Sequence, residues 1–541
     1  MHVKMNLRKS SSKERGLDEH SGSALMRNTS DFLLQLQRRG VRVRAKDGKL
    51  HIRAPEGGLL QEESDGLRLM KPDILLLLEQ NQLADMPPIE RRSADCMVPW
   101  RHIEIGSRFR VRICSFAVRM LGVLDCDLLR RSLEALIERH EALRIRPCVV
   151  AGVVYQKVDV VSEYRLEVTT VDPMPDETPE HAATRLASEF IEKKFDFYAE
   201  PLFASSLFRL ADQDHILAVA MDHAISDASS LEILERELWV LYSRGLHGLP
   251  LLLAPLSIQF GDYSLWKQRI RKIWLEKYGS YWKHRLAGAK STIIPVDATS
   301  DVKQPPGAIF QAKFGDRLTY RLQELARREG TLLALVVLVT YVCVMSRWCH
   351  SSELVVAFFV AGRDLPELQN MVGGLVSVAP LRVSIQAGDT FTELLRRVCQ
   401  EFHAMQNHTG LSFGEIDEIV PEYIRPLEIS FNWTQVNWSE GTVSLRREIG
   451  RDLTVKPFAL PRSPISTKFV PIFSCTPASI VSTVYYQPDV LRPETLEWFG
   501  ASLKFFANEF AENPQRLLAT IDISVPKIGE IHPFHDAGKW G

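Results

Sequence analysis

The sequence lacks the residue patterns that most often bind a metal ion or a nucleotide. Its eight cysteines form no C-x-x-C pair and no cysteine–histidine array with zinc spacing. No P-loop or dinucleotide fingerprint follows an apolar run, since Gly373-Gly374 has neither the spacing nor the lysine. We therefore expect no metal site and no nucleotide chemistry. The cysteines are predicted to be reduced, mostly buried thiols: Cys96, Cys114, Cys126, Cys148, Cys343, Cys349, Cys399 and Cys475.

An excess of charge and long hydrophobic runs are also missing. With 66 basic and 67 acidic residues among 541, the formal net charge is -1, so no global field attracts nucleic acid or an anionic membrane. The longest apolar run, residues 332–345, is shorter than the ~20 residues of a spanning helix and predicts a buried helix. Residues 1–29 are polar, which predicts a disordered N-terminus rather than a signal peptide. We expect a globular, cytoplasmic chain of about three domains.

A short polar segment, residues 222–228, is the strongest candidate for chemistry. It follows an almost wholly apolar run, residues 216–221, that predicts a buried strand. Ser229, followed three residues later by Glu232, predicts the capping box of a helix start. His223 is therefore placed on a strand-to-helix turn, where a rigid scaffold can present it to a cleft as a candidate base.

Two interpretations of His223 stay open on this segment alone. A single histidine beside a strand is more often a hydrogen-bonded structural residue than a catalytic one. In the catalytic interpretation, Asp227 turns back into the protein and braces the loop that carries the histidine. Motifs elsewhere in the chain have to decide between the two.

Residues 30–84 form a small unit with a basic centre. An apolar helix pattern (Phe32, Leu33, Leu36) precedes two alternating runs joined by Asp47-Gly48, which predict a β-hairpin, and residues 72–78 predict a second helix. Such a hairpin is either a solvated surface or a site that captures an acidic extended peptide by strand addition. Seven basic residues stand against one acid between positions 38 and 53: Arg38, Arg39, Arg42, Arg44, Lys46, Lys49 and Arg53.

Several details of this unit match one kind of domain. The leucine-x-x-leucine helix, Gly40-Val41, Lys49-Leu50 and residues 71–75 resemble the N-terminal docking domain first described in tubulysin assembly lines. The resemblance implies that the hairpin binds an acidic C-terminal peptide of a partner acyl or peptidyl carrier protein. The residues implied in this contact are Arg38, Arg42, Arg44, Lys46, Lys49 and Arg53.

The rest of the chain follows a linker at residues 85–98, which contains Pro87-Pro88. After it, helical and β-rich patterns alternate to the end, which predicts an α+β fold. Helices are predicted at residues 128–141, 231–242, 320–328, 391–403 and 493–510.

Five further segments line up with one family in order and spacing. They are residues 139–144, 262–268, 361–364, 372–382 and 485–489, with the sequences RHEALR, DYSLWKQ, AGRD, VGGLVSVAPLR and YYQPD. Together with the segment that carries His223, they resemble the motifs of a nonribosomal peptide synthetase condensation domain. Each motif alone is unspecific, but the set is specific.

This resemblance implies two lobes shaped like chloramphenicol acetyltransferase in a V-shaped pseudo-dimer, placed at residues 99–265 and 266–524. Only a tail, residues 525–541, follows, so we expect a free-standing enzyme. In the family, carrier-protein phosphopantetheine arms deliver thioesters to a histidine in a tunnel between the lobes. The chain is therefore expected to hold no cofactor of its own and to join a carrier-bound acyl group to a free or carrier-bound acceptor, without nucleic acid or membrane.

The resemblance also implies roles for individual residues. His223 acts as a base or as a positioning hydrogen-bond partner. Asp227 forms a structural ion pair with an arginine of the RHEALR segment, for which we favour Arg144 over Arg139; the alternative is that both arginines are ordinary helix-surface residues. A backbone N–H near Ala228 is a candidate oxyanion donor.

The sequence departs from the family motif His-His-x-x-x-Asp-Gly at both ends. Asp222 replaces the first histidine and Ala228 replaces the glycine, and the N-terminal Ser-x-Ala-Gln-x-Arg-x-Trp motif is missing. The Asp-His version resembles condensation domains that make esters, although Asp222 is also compatible with simple scaffold tolerance. Amide formation, heterocyclisation (Asp222, Asp227 and Ser230 fit that signature) and an inactive recruitment scaffold are the alternatives.

Overall fold

The computed structural model describes most of the chain. The described residues are 41–46, 49–53, 59–71, 74, 89–92, 96–99, 113–160, 164–192, 195, 197–198, 200–298, 307–363, 365–420, 427–434, 447–450, 452–460, 467–476 and 479–521. The predicted disordered N-terminus, the first docking helix with Arg38 and Arg39, and the predicted tail lie outside them.

The small N-terminal unit contains the predicted hairpin. Strands β1 (Arg42–Lys46) and β2 (Lys49–Arg53) pair antiparallel in full register. Helix α1 (Gln61–Leu69), which the sequence analysis did not predict, follows. Val41, Leu67 and Ile74 form a core of their own, against which Val43, Leu50 and Ile52 pack. Of the predicted helix at residues 72–78, only Ile74 is described.

The first half of the larger part alternates strands and helices. Its strands are β3 (Val98–Pro99), β4 (Ile113–Gly122), β5 (Ile145–Val150), β6 (Val153–Val158), β7 (Glu167–Thr170), β8 (Phe203–Ala211) and β9 (Asp214–Asp222). Its helices are α2 (Cys126–Arg139), α3 (Pro179–Glu192), α4 (Ala228–Leu246) and α5 (Phe260–Leu286).

The second half has the same alternation. Its strands are β10 (Ala308–Lys313), β11 (Glu353–Val360), β12 (Ser377–Ser384), β13 (Ser430–Thr434), β14 (Arg447–Ile449), β15 (Leu453–Pro457), β16 (Phe469–Cys475) and β17 (Ile480–Tyr486). Its helices are α6 (Asp316–Arg328), α7 (Leu333–Trp348), α8 (Phe391–Gln406), α9 (Phe413–Ile419) and α10 (Pro493–Glu512).

Two six-stranded sheets define two lobes. The N-lobe sheet has the order β14-β15-β4-β9-β8-β7, and the C-lobe sheet has the order β10-β17-β16-β13-β11-β12. Two features correct the predicted division of the lobes at residues 265 and 266. That boundary falls inside the continuous helix α5, and β15 crosses from the second half of the chain to pair with β4.

All five predicted helices of the larger part are present with somewhat different bounds, and α7 is buried along almost its whole length. Helices α3, α5 and α9 were not predicted. Among the described residues no single helix is long and apolar enough to cross a membrane; the consecutive helices α6 and α7 pass that test only as a pair, with a bend of 109° between them.

The cysteines correct one expectation. All eight are free thiols, as predicted, but only Cys343 is buried; Cys126 is exposed and the other six are partly exposed. The expectation of mostly buried thiols was therefore wrong. Several of them lie near strand ends and helix termini, where loops leave the side chain partly uncovered.

Candidate active site

The turn that carries His223 connects a buried strand to a buried helix. Strand β9 is central in the N-lobe sheet, between β4 and β8, and its last residue, Asp222, is buried. Helix α4 begins at Ala228 with Asp227 as its N-cap, whose carboxylate accepts from the Ser230 N–H at 2.9 Å. The predicted capping box of Ser229 with Glu232 is thus wrong, because the extended backbone at Asp227 brings its own short carboxylate over the helix start.

Asp222 shapes the turn from within. Its Oδ1 accepts a hydrogen bond from the Ala224 N–H at 2.9 Å, and its carbonyl accepts one from the Ser226 hydroxyl at 2.9 Å. These contacts form a side-chain turn of the kind that aspartate makes with the residue two positions on. The residue that departs from the family motif therefore has a structural task in this chain.

Asp227 is the centre of a network that joins the two lobes. Arg363 donates to it twice, at 2.7 Å and 2.8 Å, and the main-chain N–H groups of Leu375 and Val376 donate at 3.0 Å and 3.1 Å. Burial alone would raise the pKa of the Asp227 carboxyl, but the Arg363 guanidinium and the bonds from Ser230 hold that pKa below its usual value. The loop is thus fixed by residues more than a hundred positions away.

The arginine partner of Asp227 is a correction to the sequence analysis. Neither Arg144 nor Arg139 contacts this carboxylate. Arg144 donates to the carbonyl oxygens of Ile137 and Asp159, at 3.0 Å and 2.6 Å, and thereby closes the end of α2. Arg139 pairs with Glu237 of α4 at 2.8 Å. Both arginines are therefore structural within the N-lobe, not bare surface residues and not partners of the active-site loop.

Arg363 belongs to the AGRD segment, which is one of the motifs that match the family, but its pairing with Asp227 was not predicted. Its side chain is only 9% exposed, against 2% for Asp227. The structure adds Ser230, whose hydroxyl accepts from the Gly373 N–H at 3.1 Å and lies 2.9 Å from Asp227 Oδ1. In the sequence, an arginine after a strand and a serine in the first turn of a helix do not indicate an active-site role. The roles of Arg363 and Ser230 become visible only where the two lobes meet.

The glycine pair of the C-lobe explains how close the lobes come at this point. A Cβ atom at Gly374 would lie 2.9 Å from the carbonyl oxygen of His223 and 3.1 Å from that of Ala224. A Cβ at Gly373 would meet the ring of Phe260 at 2.3 Å. The main chain of the C-lobe therefore packs directly on the turn that presents the histidine.

His223 itself is partly exposed, whereas residues 224–227 after it are buried. Burial disfavours the imidazolium form, but contact with the Cys114 side chain, a hydrogen bond to its own main chain and the charge of Asp227 together raise the pKa of His223 to about 10. Burial on its own favours the neutral imidazole that a base needs, and the raised pKa comes from these neighbouring groups.

The other predicted site residues lie at the start of α4 and on the N-terminal hairpin. Ala228 is the exposed first residue of α4, where helix N–H groups have no intrahelical acceptor. The positions of Arg42, Arg44, Lys46, Lys49 and Arg53 lie on β1 and β2, in the separate N-terminal unit. Among the described residues, no group of three or more histidine, cysteine, aspartate or glutamate side chains could hold a metal ion.

Comparison with known families agrees with this geometry. Residues 111–525 match the condensation domain, and residues 30–80 match the TubC N-terminal docking domain. The chain belongs to the condensation-domain family. Condensation domains are acyltransferases that form amide or ester bonds in nonribosomal peptide synthetases.

Individual relatives are much longer proteins. One linear gramicidin synthase polypeptide of Brevibacillus parabrevis is 28% identical over 386 residues, which are 70% of this chain and 5% of that protein. Bassianolide nonribosomal cyclodepsipeptide synthetase of Beauveria bassiana is 31% identical over 321 residues, which are 58% of this chain and 10% of that protein. The chain thus spans a tenth or less of the length of these two relatives.

Solved structures show the same fold. The X-domain in complex with OxyB from teicoplanin biosynthesis superposes with a TM-score of 0.68 at 22% identity, over 81% of this chain and 98% of that one. The first condensation domain of the calcium-dependent antibiotic synthetase superposes with a TM-score of 0.62 at 17% identity, over 77% and 95%. At these identities the likeness concerns the fold alone.

Proposed function

We propose that the chain transfers an acyl group from a carrier-protein phosphopantetheine thioester to a hydroxyl acceptor and so forms an ester. The observation that carries the proposal is the partly exposed His223 on a buried turn that Asp227 and Arg363 fasten between the lobes. The chain needs no cofactor of its own for this reaction, since the acyl group arrives on the arm of the carrier protein.

The reaction needs a base that takes the proton of the hydroxyl and a group that stabilises the oxyanion. A positioned base contributes about 10²–10⁴-fold in rate. A hydroxyl with a pKa near ~16 is much harder to deprotonate than an amine, so a retained histidine matters most for ester formation. The N–H groups at the start of α4, beside Ala228, are suited to the oxyanion because they have no acceptor within the helix.

Support for an ester comes from the motif and from a relative. Asp222 and Ala228 give the Asp-His-x-x-x-Asp-Ala form that resembles ester-forming condensation domains, and a docking domain before a condensation domain resembles the layout of the chain-releasing enzyme of enacyloxin biosynthesis. A cyclodepsipeptide synthetase is also among the relatives. Amide formation is the second candidate, because linear gramicidin synthase is similar as well.

A recruitment scaffold is the candidate from a different class. The X-domain structure, whose fold is similar, is a complex with OxyB. The contacts around Asp227 argue against this role here, because a scaffold does not need a turn held by six hydrogen bonds from both lobes around a partly exposed histidine.

The test uses an acyl-loaded carrier protein and matched alcohol and amine acceptors. We expect His223→Ala to slow transfer by about 10²–10⁴-fold, while His247→Ala, at the exposed end of α4, leaves it unchanged. Faster product formation with the alcohol supports an ester-forming enzyme; faster formation with the amine refutes it. Undiminished transfer by His223→Ala refutes the assignment of the base.

The docking hairpin is proposed to bind an acidic peptide tail of the carrier protein. The positions of Arg42 and Arg53, and those of Lys46 and Lys49, are opposite each other in the strand register, so the hairpin concentrates basic residues on two adjacent strands. An anionic strand added beside the hairpin would complement this positive charge, and its main chain would gain hydrogen bonds. Arg44, between these pairs, and Arg38, outside the described residues, belong to the same proposed surface.

Deletion of residues 1–84 separates docking from chemistry. We expect the truncated enzyme to turn over its cognate carrier more slowly but to keep its rate on a small pantetheine thioester. The full-length enzyme should also bind the carrier tail less tightly as salt concentration rises, because exposed charges are screened. An equal loss on carrier and surrogate would show that the deletion damages the active site instead.

A further inference from the structure

The start of helix α5 is bonded to the linker that follows the N-terminal unit. Asp262, in the first turn of α5, accepts a hydrogen bond from the N–H of the N-cap residue Gln259 at 2.8 Å. The same carboxylate accepts two hydrogen bonds from Arg92, one from its main-chain N–H at 3.0 Å and one from its guanidinium at 3.1 Å. Arg91 donates to the second carboxylate oxygen at 3.4 Å. Linker and helix are therefore one hydrogen-bonded unit.

Arg92 is buried in this contact. Its side chain is 4% exposed, and that of Asp262 is 1% exposed. The guanidinium also donates to Glu141 at 2.9 Å and to the carbonyl oxygen of Cys96 at 3.3 Å. A Cβ atom at Gly261 would lie 2.7 Å from the guanidinium carbon, so the glycine makes room for the arginine. Because a planar guanidinium with several partners has little freedom, Arg92 fixes the place of the α5 start.

Phe260, the first residue of α5, carries this contact to the C-lobe. Its buried ring lies directly against Gly373, where a Cβ atom would come within 2.3 Å of it. On its other side, Gly373 donates its N–H to the Ser230 hydroxyl at 3.1 Å, and that hydroxyl is 2.9 Å from Asp227 Oδ1. Two residues thus separate the ring of Phe260 from the carboxylate that fastens the active-site turn.

Gln259 makes a second connection from the α5 start to helix α4. Its side-chain oxygen accepts from the Glu141 N–H at 3.2 Å, and its side-chain amide donates to the Arg139 carbonyl oxygen at 2.9 Å. The guanidinium of Arg139 pairs with Glu237 of α4 at 2.8 Å. The start of α5 is therefore joined to the first turn of α4 through the C-lobe and to the middle of α4 within the N-lobe.

We propose that Arg92 is a positioning residue for acyl transfer. It fixes the start of α5, Phe260 then fixes Gly373, and Gly373 fixes the turn that carries His223. This inference rests on the proposed function for its effect on rate. A misplacement of about 1 Å at a reacting group costs about 10²-fold in rate, so a smaller displacement of the turn is enough to slow the reaction. The linker thereby completes the active site in addition to connecting the docking unit.

The kinetic test uses the full chain with hexanoyl-pantetheine and the alcohol acceptor, so that docking plays no part. We expect Arg92→Met and Phe260→Leu each to lower kcat by about 10-fold and to change KM by less than about 2-fold, because the groups that bind the substrate stay in place. Phe260→Leu leaves the contact between Arg92 and Asp262 intact. The double variant should lose no more than the slower single variant, since both changes break one path; independent effects would multiply.

Two controls separate positioning from other roles of an ion pair. Arg269→Met breaks an exposed pair between α5 and Glu90 of the same linker, with side chains 61% and 72% exposed. Arg397→Met breaks the pair with the buried carboxylate of Asp389 at the start of α8, and so destabilises the C-lobe away from the path. Both variants should keep the kcat of the wild type.

Hydrogen exchange followed by mass spectrometry measures the position of the turn without turnover. The N–H groups of Ala224, Ser230, Leu375 and Val376 are hydrogen-bonded to Asp222 or Asp227. We expect peptides that cover residues 222–232 and 370–380 to exchange about 10-fold faster in Arg92→Met and Phe260→Leu than in the wild type, and no faster in the two controls, because local opening frees these groups.

Three results overturn the inference: wild-type kcat in Arg92→Met, unchanged exchange of the turn peptides in that variant, or losses that multiply in the double variant. If Arg92→Met does not fold, Phe260→Leu decides, since it keeps the buried ion pair. A wild type that transfers no acyl group refutes the proposed function instead, and the exchange measurement then decides the inference by itself.

Discussion

The ion pair between Arg363 and Asp227 offers the sharpest test of how the two lobes form the site. Its side chains are 9% and 2% exposed, so both charges are out of water. The change Arg363→Met removes the cation and leaves Asp227 as a buried carboxylate held only by neutral donors from Ser230, Leu375 and Val376. Breaking one partner of a buried pair costs about 3–5 kcal/mol, and we expect this loss in the free energy of unfolding.

The pH dependence of this loss has a definite sign. In the wild type the pKa of Asp227 is lowered on folding, so the stability it contributes is present above its unfolded pKa of about 3.9 and is lost as pH falls through the lower folded value. In the Arg363→Met variant no guanidinium offsets the burial of Asp227, so the pKa of its carboxyl is higher than in the wild type. As the pH falls, this carboxyl is protonated in the variant and the unpaired buried charge disappears. The difference in free energy of unfolding between wild type and Arg363→Met should therefore shrink from pH 7 toward about pH 4.

The assay is urea unfolding followed by tryptophan fluorescence at several pH values. Arg131→Met is the matched control, because Arg131 pairs with Asp127 with side chains 49% and 64% exposed, and such a surface pair contributes about 0–1 kcal/mol. The double variant Asp227→Asn with Arg363→Met should recover part of the loss, since no buried charge remains unpaired. If Arg363→Met costs no more than Arg131→Met, or if its cost grows at low pH, the account of the lobe contact is wrong.

Two further predictions concern contacts that hold the turn and the linker. Gly374→Ala adds a Cβ atom 2.9 Å from the carbonyl oxygen of His223. The turn must shift to make room, which should slow acyl transfer by about 10²-fold. The control is Gly388→Ala, whose Cβ atom meets nothing within 4 Å and which should not change the rate. Arg92→Met removes a cation that is 4% exposed and 3.1 Å from the buried carboxylate of Asp262; urea unfolding should show a loss of about 3 kcal/mol, and no loss would show that the linker is not fastened there.

Local pattern predicted the element that carries the chemistry. The apolar run before residue 222 is strand β9, and the turn with His223 follows it. The basic hairpin is also present, since an Asp-Gly pair between alternating runs depends only on neighbouring residues. These predictions succeeded because short-range hydrogen bonds and burial period determine both elements.

Longer-range features were missed for a physical reason. Arg363 lies 136 positions from Asp227, and the choice between it and Arg144 depends on how the lobes pack, which no local pattern records. Helix α5 did give a signal: Trp266, Ile270, Trp274 and Tyr278 recur every four residues and are all buried. Their aromatic character, typical of strands as well as of cores, hides that helical spacing.

The geometry also bears on what the replaced histidine of the family motif implies for activity. The Asp222 carboxylate accepts a hydrogen bond from the Ala224 N–H, and its main-chain carbonyl accepts one from the Ser226 hydroxyl. Asp222 thus stabilises the turn from the N-lobe side. Asp227 stabilises the same turn from the other side through the C-lobe. Since these contacts leave His223 partly exposed, the exchange of histidine for aspartate at position 222 supports the active turn rather than dismantling it. The acceptor preference must therefore depend on what reaches His223, which the competition between alcohol and amine acceptors measures.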